Sequence, residues 1–261
     1  MNKVSEDMRN AKHSEVFTRL REQSYEKNIE VSKNMRNIIL NTIKNKDISM
    51  YEEKRKALVR HLVRSGYISK PDVVKAMENI PRHFFVPQNM QKYAYEDCPL
   101  EIGVGQTISA PHMVGIMVES LDIREGQKIL EIGTGLGYHS AVISSILGES
   151  GHVYTVERHS ELAEKAREKL KNYQNITVIV GDGSKGLKEY AQYDRIFVTC
   201  AAPDIPEPLI EQLKENGKLL IPVGERFMQD LILVEKKNNK ISKRNLGGCM
   251  FVPLVGEYGF R

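Results

Sequence analysis

The chain predicts an α/β fold built on a doubly wound, mostly parallel sheet. From residue 98 onward, short runs rich in β-branched residues alternate with stretches whose apolar residues recur at helical spacing, a pattern typical of βαβ units. With 261 residues, 41% hydrophobic and 28% charged, the chain can bury one large core plus a small appendage. This composition excludes a disordered or collagen-like chain.

The amino-terminal part of the chain predicts helices. Residues 1–50 are dense in Lys, Arg, Glu and Asn, with apolar residues at helical spacing, and predict a charged helical extension. Residues 51–97 predict the helical N-terminal part of the main unit, in which Gly66 ends one helix and Ser69 caps the next. The α/β domain is expected to occupy residues 98–261.

Within the α/β domain, apolar runs bounded by Gly, Asp or Pro mark the strands. The first five strands are expected at residues 128–132, 153–157, 176–180, 195–199 and 218–223. Helices are expected after Gly137, after Ser160 and around residues 209–213. Two later runs, 231–235 and 250–255, predict strands that pair antiparallel at the edge of the sheet.

The strongest local motif is the glycine-rich turn at residues 130–137, which follows a hydrophobic strand and precedes a helical pattern. Glycines let the backbone turn tightly and approach a ligand, beside helix N–H groups that favour polar or anionic partners. The glycines follow a G-x-G-x-G spacing, and Tyr138 occupies the place of the third glycine of the dinucleotide fingerprint. The motif therefore differs from the dinucleotide-binding pattern.

Carboxylates accompany this turn along the predicted sheet edge. Glu131 lies just before the turn, Glu157 ends the next strand, and Asp182 follows the third strand within Gly-Asp-Gly. Open α/β sheets bind ligands at the carboxyl ends of their strands, and a carboxylate there can accept hydrogen bonds from ribose hydroxyls. Taken alone, the glycine-rich segment also fits a simple turn, and each acidic residue also fits a solvated strand end. Together they predict an adenosyl-cofactor site of the S-adenosylmethionine-dependent methyltransferase (Rossmann-like) type.

A second motif occupies residues 102–113, about one helix before the glycine-rich turn. Ser109 is placed to cap a helix that has Pro111 in its first turn. Capping accounts for these two residues but not for Gln106 and Thr107. A binding role for the segment therefore stays open beside the capping role.

The motifs resemble those of the protein-L-isoaspartate (D-aspartate) O-methyltransferase family. The resemblance covers about residues 55 to 255, and its Gln-Thr-Ile-Ser-x-Pro segment is specific to that family. Its motifs are Ile-Pro-Arg-His-Phe-Phe-Val-Pro at 80–87, Ala-Tyr-Glu-Asp at 94–97, Gly-Gln-Thr-Ile-Ser-Ala-Pro-His-Met at 105–113, Leu-Glu-Ile-Gly-Thr-Gly at 130–135, Thr-Val-Glu at 155–157, Gly-Asp-Gly at 181–183, Pro-Val-Gly at 222–224 and Phe-Val-Pro-Leu at 251–254. Leu136 and Glu101 depart from the family pattern, which commonly has Ser and Pro there.

The resemblance implies an enzyme that methylates the free α-carboxylate of L-isoaspartyl residues in damaged proteins, with S-adenosyl-L-methionine as the cofactor, and it leaves D-aspartyl residues open as a second substrate. It implies that Ser109 orients the substrate carboxylate and that Thr107 lines the same pocket. It further implies a set of cofactor-binding residues, namely Glu131, Gly133 and Gly135 in the turn, Glu157 at the ribose, Asp182 and Gly183 on the adenine side, and Gln229 at the amino-acid end.

The remaining expectations concern partners and alternatives. We expect a cytoplasmic monomer that binds isoaspartyl-containing peptides and proteins, with no metal and with neither nucleic acid nor a membrane as partner. His83, His112 and Cys200 are interpreted as packing residues. One alternative is a methyltransferase of the same fold that acts on RNA or a small carboxylic acid, favoured by the basic pI and by the charged extension outside the family resemblance. The other is a non-catalytic binding module that captures a partner through residues 1–50.

Overall fold

The computed structural model describes residues 49–261. Residues 51–261 form one compact unit. The charged extension predicted for residues 1–50 lies, except for its last two residues, outside the described residues. Every helix in the described part of the chain is too short or too polar to cross a membrane.

Two helices and two 3-10 turns precede the sheet. Helix α1 occupies residues 49–64, and α2 is Pro71–Asn79. Gly66, at a φ of 74°, ends α1 as predicted. The capping prediction for Ser69 is wrong, because the N-cap of α2 is Lys70. The Ser69 amide and hydroxyl instead donate to the Glu119 carboxylate. The 3-10 turns are Arg82–Phe85 and Gln88–Tyr93.

The central sheet has seven strands in the order β5-β4-β3-β6-β7-β8-β9. The strands are β3 Lys128–Ile132, β4 His152–Glu157, β5 Ile176–Val180, β6 Tyr193–Val198, β7 Leu213–Glu225, β8 Met228–Lys237 and β9 Lys240–Cys249. Strands β3 to β7 pair in parallel, whereas β7, β8 and β9 pair antiparallel. This confirms the mostly parallel sheet, and all five predicted parallel strands are present.

The sheet has a hydrophobic core on each face. Alternate residues of β3 divide between the two cores, so that Ile129 packs on one side and Leu130 on the other. The first core lies beneath α3, α4 and α5, and the second beneath the short helix α6. These helices are α3 Pro111–Leu121, α4 Tyr138–Leu147, α5 Ser160–Leu170 and α6 Glu207–Glu211. Burial on both faces explains the continuous apolar runs of the parallel strands.

Two parts of the β-structure differ from prediction. The last strand is β9, not residues 250–255, because β9 is an exposed edge strand whose polar residues give no apolar signal. Residues 250–255 instead cross back to the carboxyl end of β6, where Pro253 bridges Ala201. A separate antiparallel hairpin, β1 Leu100–Gly103 with β2 Gln106–Ile108, was also not predicted.

Candidate active site

The glycine-rich turn lies at the carboxyl end of β3, in the middle of the sheet. Gly133, Gly135 and Gly137 all have positive φ values, of 93°, 56° and 93°. A Cβ at Gly133 would clash with the Thr199 hydroxyl of the neighbouring strand end. That hydroxyl donates to the Gly133 carbonyl at 2.6 Å. The turn is therefore held flat against the end of β6, and only glycine fits at its first position.

A cavity opens above this turn, with about 670 Å³ of empty space when the open solvent at its mouth is included, and we call it the nucleoside cavity. Its walls come from the ends of β3, β4 and β6, from the β1–β2 hairpin and from the carboxyl-terminal segment. The lining residues are Ile102, Gln106, Thr107, Ile132, Gly133, Gly135, Val156, Glu157, Arg158, His159, Gly183, Thr199, Cys200, Val252, Pro253, Leu254 and Val255. Of the seven predicted cofactor residues, Gly133, Gly135, Glu157 and Gly183 line it.

Glu157 provides the carboxylate of the nucleoside cavity. Its side chain is 5% exposed and accepts a hydrogen bond from the Gly135 amide to Oε2 and from the His159 amide to Oε1, both at 2.9 Å. These two amides fix the carboxylate against the turn. Each oxygen keeps lone-pair capacity toward the cavity, as binding of a vicinal diol requires.

Glu131 does not line the nucleoside cavity. It is fully buried on the opposite side of β3 from Ile132, where Oε2 accepts from the Ser140 hydroxyl of α4. Burial raises the pKa of its carboxyl to about 8, although the Ser140 hydrogen bond opposes the shift. The residue therefore joins the turn to the start of α4, while its Oε1 atom is buried without a hydrogen-bond partner among the described residues. Its contact with a cofactor stays a prediction.

Asp182 and Gln229 are also placed outside the cavity. The Asp182 carboxylate accepts from the Ser184 amide and hydroxyl on one oxygen and from the Glu257 amide on the other. Burial raises the pKa of Asp182, but these hydrogen bonds outweigh it and the net pKa is lowered. The Gln229 side chain, 2% exposed, accepts from the Phe251 amide at 2.8 Å. Both side chains thus anchor the carboxyl-terminal segment that covers the cavity.

A second cavity adjoins the first, and we call it the acceptor cavity. Three residues, Thr107, Thr199 and Val252, line both cavities. The acceptor cavity is lined by Pro99, Thr107, Ser109, Ala110, His112, Met113, Thr199, Gly248, Cys249, Met250, Phe251 and Val252. The two predicted substrate residues, Thr107 and Ser109, are therefore both present in it.

The structure decides how Ser109 relates to helix α3. The N-cap of α3 is Ala110, whose carbonyl accepts from the Val114 amide at 3.1 Å, and Pro111 begins the helix. The capping prediction for Ser109 is therefore wrong. Its side chain is half-buried in the wall of the acceptor cavity.

The histidines and the cysteine lie in packed surroundings. The His112 ring Nδ1 and backbone amide both bond Asp97 Oδ1, at 2.9 and 2.8 Å, which fixes the ring in the acceptor-cavity wall. His83 stacks on Tyr51, and its burial lowers its pKa to about 4. Burial raises the pKa of the Cys200 thiol. Across residues 49–261, no group of three His, Cys, Asp or Glu side chains is arranged to hold a metal ion.

Sequence reasoning missed two features of the site. Thr199 joins the two cavities, and its position after β6 could have been inferred from the rule that ligands bind at strand ends. Residues 250–255 form walls of both cavities. Their apolar character suggested a strand, and nothing local signals that the segment leaves the sheet.

Comparison with known proteins places this geometry in a family. The family model described as protein-L-isoaspartate(D-aspartate) O-methyltransferase (PCMT) matches residues 53–259. A protein-L-isoaspartate O-methyltransferase of Hyperthermus butylicus is 52% identical over 227 residues, which are 83% of this chain and 94% of that protein. Protein-L-isoaspartate O-methyltransferase 2 of Archaeoglobus fulgidus is 55% identical over 214 residues, 81% of this chain and 97% of that protein.

Solved structures agree with the sequence matches. A Plasmodium falciparum protein described as a protein-L-isoaspartate O-methyltransferase, in complex with S-adenosyl-L-homocysteine, has a TM-score of 0.70 and 30% identity and covers 77% of this chain and 98% of its own. Another structure of a protein-L-isoaspartate O-methyltransferase has a TM-score of 0.72 and 31% identity, and covers 78% of this chain and 67% of its own.

Proposed function

The chain belongs to the protein-L-isoaspartate(D-aspartate) O-methyltransferase family, and from that premise we propose how its two cavities divide the reaction. The enzyme transfers a methyl group from S-adenosyl-L-methionine to the free α-carboxylate of L-isoaspartyl residues in damaged proteins, which initiates their repair. In our proposal the nucleoside cavity holds the cofactor and the acceptor cavity holds the isoaspartyl carboxylate.

The residues of the nucleoside cavity fit an adenosyl group. Gly133 and Gly183 leave space where a Cβ would clash with Thr199 and Ile132, so the backbone forms a cradle. Glu157 faces this cradle with its two oxygens held by backbone amides, as a partner for the ribose hydroxyls. When bound, S-adenosylmethionine supplies a methyl group activated by a positively charged sulfur. Glu131, Asp182 and Gln229 hold the segments around the cradle through their hydrogen bonds, and their contact with the cofactor stays a prediction.

The acceptor cavity has the chemistry that an ionised carboxylate needs. A free α-carboxyl group has a pKa of about 3.5 and is already deprotonated at neutral pH, so its attack requires no strong general base. In our proposal the Ser109 hydroxyl donates a hydrogen bond to one carboxylate oxygen and so directs the other toward the nucleoside cavity, while Thr107 lines the approach. Fixing two reactants in this way can supply about 7 to 11 kcal/mol of barrier reduction.

One observation carries this proposal: the two cavities share the wall formed by Thr107, Thr199 and Val252. The apolar Val252 and Leu254 beside this wall reduce access of water, which favours reaction between two groups of opposite charge. On one side of this wall Glu157 suits the ribose of the cofactor, and on the other side Ser109 suits the carboxylate of the substrate.

We extend the proposal to the oligomeric state, the cellular compartment and the partners of the enzyme. Residues of a single chain supply the proposed binding groups of both cavities, so the proposed reaction needs no second copy, and we propose a monomer. Cys98, Cys200 and Cys249 are free thiols, which supports the reducing cytoplasm. Acidic and basic side chains are nearly balanced, at 34 and 38, which favours polypeptides over nucleic acid or membranes as partners.

Methyl-labelled S-adenosylmethionine tests the function with two peptides that differ only in carrying isoaspartate or aspartate at one position. We expect label in the isoaspartyl peptide alone, as a base-labile ester. Equal labelling of both peptides, labelling of RNA in place of the peptides, or cofactor binding without any product would contradict the proposal. The last two outcomes correspond to another substrate class and to a non-catalytic module.

A further inference from the structure

Large apolar side chains are strongly exposed at one place on the described surface. Phe227 is 86% exposed, Met228 77% and Met250 75%, and these are the three most exposed large hydrophobic residues in the described part of the chain. Single exposed apolar residues are ordinary on protein surfaces, but a contiguous group often marks an interaction site. Whether the three residues form such a group depends on the strand register.

The register places the three side chains together. Gln229 of β8 pairs with Cys249 of β9, and Gln229 points into the protein. Met228 and Met250 each adjoin this last pair of the ladder, on the outward side along the two segments, so the two residues lie near each other, and both side chains are exposed to solvent. Phe227 precedes Met228 in the turn between β7 and β8. We call these three residues the apolar rim.

The turn that carries the apolar rim is held in place. Arg226 donates to the carbonyl of Arg261 at 3.0 Å, and its guanidinium lies 5.4 Å from the centre of the Phe260 ring. These contacts join the turn to the carboxyl-terminal residues. A fixed apolar surface binds a partner at lower entropic cost than a mobile one.

The apolar rim continues directly into the acceptor cavity. Met250 belongs both to the rim and to the cavity wall that contains Ser109. The substrate is a polypeptide, so the residues on either side of an isoaspartate in this cavity have to pass over its edge. Because the rim adjoins the cavity, the residues next to the isoaspartate in the substrate are the ones that would contact the rim.

We propose that the apolar rim binds a large apolar side chain next to the isoaspartate and makes the enzyme prefer damaged sites with such neighbours. This inference rests on the proposed function of the acceptor cavity. Large apolar side chains are buried in folded proteins and exposed in unfolded segments. The rim thus directs methylation toward isoaspartates in segments that have lost their native packing.

The experiment compares two isoaspartyl peptides that are identical except for leucine or serine on both sides of the isoaspartate. The variant is the double substitution Phe227→Ser and Met228→Ser, which changes only exposed side chains. Met250 is left unchanged because it also lines the cavity. Ile241→Ser is the matched control, since Ile241 is 38% exposed on the same strand pair but about 26 Å along β9 from Cys249.

For the natural protein we expect a KM about tenfold lower for the leucine-flanked peptide than for the serine-flanked one, from burial of apolar surface. In the double variant, which keeps only Met250 of the rim, this ratio should fall to about twofold, with kcat and the KM of the serine-flanked peptide unchanged. The control Ile241→Ser should keep the full ratio.

A full ratio that persists in the double variant would overturn the inference while leaving the proposed function intact, because the serine-flanked peptide would still be methylated. Failure to methylate either peptide would overturn both. Two further measurements identify other occupants. Concentration-dependent dimerisation, or binding to phosphatidylcholine vesicles, that is lost in the double variant without any change in the peptide ratio would assign the rim to a second copy of the chain or to a lipid surface, and would overturn the inference.

Discussion

At the scale of single residues, the structure separates the two roles proposed for the Ser109 hydroxyl, which are helix capping and substrate binding. Ala110, and not Ser109, caps helix α3. The hydroxyl is therefore free of the capping role and lies in the wall of the acceptor cavity beside Thr107. Its loss should consequently affect the reaction and not the stability of the helix.

We predict that Ser109→Ala lowers kcat/KM for an isoaspartyl peptide by about 10- to 100-fold, the value of one hydrogen bond to a charged group. Affinity for S-adenosyl-L-homocysteine, measured by calorimetry, and the melting temperature should stay unchanged. Ser109→Thr, which keeps a hydroxyl, should recover part of the activity, and Ser242→Ala on the exposed edge strand is the neutral control. Full activity in Ser109→Ala would show that the hydroxyl does not orient the substrate.

Glu131 shows what spacing can and cannot predict about individual side chains. The sequence placed an acidic residue beside the glycine-rich turn, and the structure has it there. Side chains alternate along a strand, however, so Ile132 faces the cavity and Glu131 faces α4. Asp182 and Gln229 were predicted near the ligand in the same way and are bonded to backbone amides of other segments. Position along the chain was predictable, whereas the partner of each side chain depended on segments distant in sequence.

At the scale of elements, the segment at residues 250–255 determines the shape of the site. It leaves the sheet after β9 and lines both cavities, and a single buried side chain, Gln229, holds its start. The Phe251 amide is 2.8 Å from the Gln229 Oε1 atom, and Phe251 is 9% exposed. Without this acceptor the amide would be buried and unpaired.

We predict that Gln229→Leu lowers the free energy of unfolding by about 1 to 3 kcal/mol, the cost of an unsatisfied buried donor. It should also raise the KM for the peptide several-fold, because the segment loses the anchor at its start. Gln212→Leu is the matched control, since Gln212 is equally buried and bridges the Leu187 amide and the Lys185 carbonyl. Chemical denaturation and peptide kinetics measure both effects.

The control should lose similar stability with no change in peptide KM. An equal rise in KM in both variants would mean that general destabilisation, and not the anchor of residues 250–255, accounts for the effect.

Elements differed in how well the sequence predicted them. The parallel strands have apolar residues on both faces and were found close to their true bounds. Edge strand β9 carries Lys, Ser, Arg and Asn, and its strand conformation comes from pairing with β8, which no local pattern reveals. The β1–β2 hairpin has strands of only four and three residues, and its turn uses Val104 and Gly105 at positive φ. Tertiary pairing, more than local propensity, forms these elements.

At the scale of the whole molecule, the parallel sheet brings the reacting groups together. The ends of β3, β4 and β6 supply the glycine-rich turn, Glu157 and Thr199, although these lie at widely separated positions in the sequence. The hairpin then adds Thr107, which precedes all seven strands of the sheet in sequence, and the carboxyl-terminal segment adds Val252, which follows them. The family match over residues 53–259 and the fold were predictable from motifs, but the shared wall of the two cavities required the structure.

A crystal structure of the enzyme with S-adenosyl-L-homocysteine and an isoaspartyl peptide tests the division between the two cavities most directly. We expect the nucleoside against Gly133 and Glu157, and the peptide α-carboxylate within hydrogen-bond distance of the Ser109 hydroxyl, with one oxygen directed at the sulfur across Thr107. A nucleoside bound outside the first cavity, or a carboxylate that makes no contact with Ser109, would contradict the account.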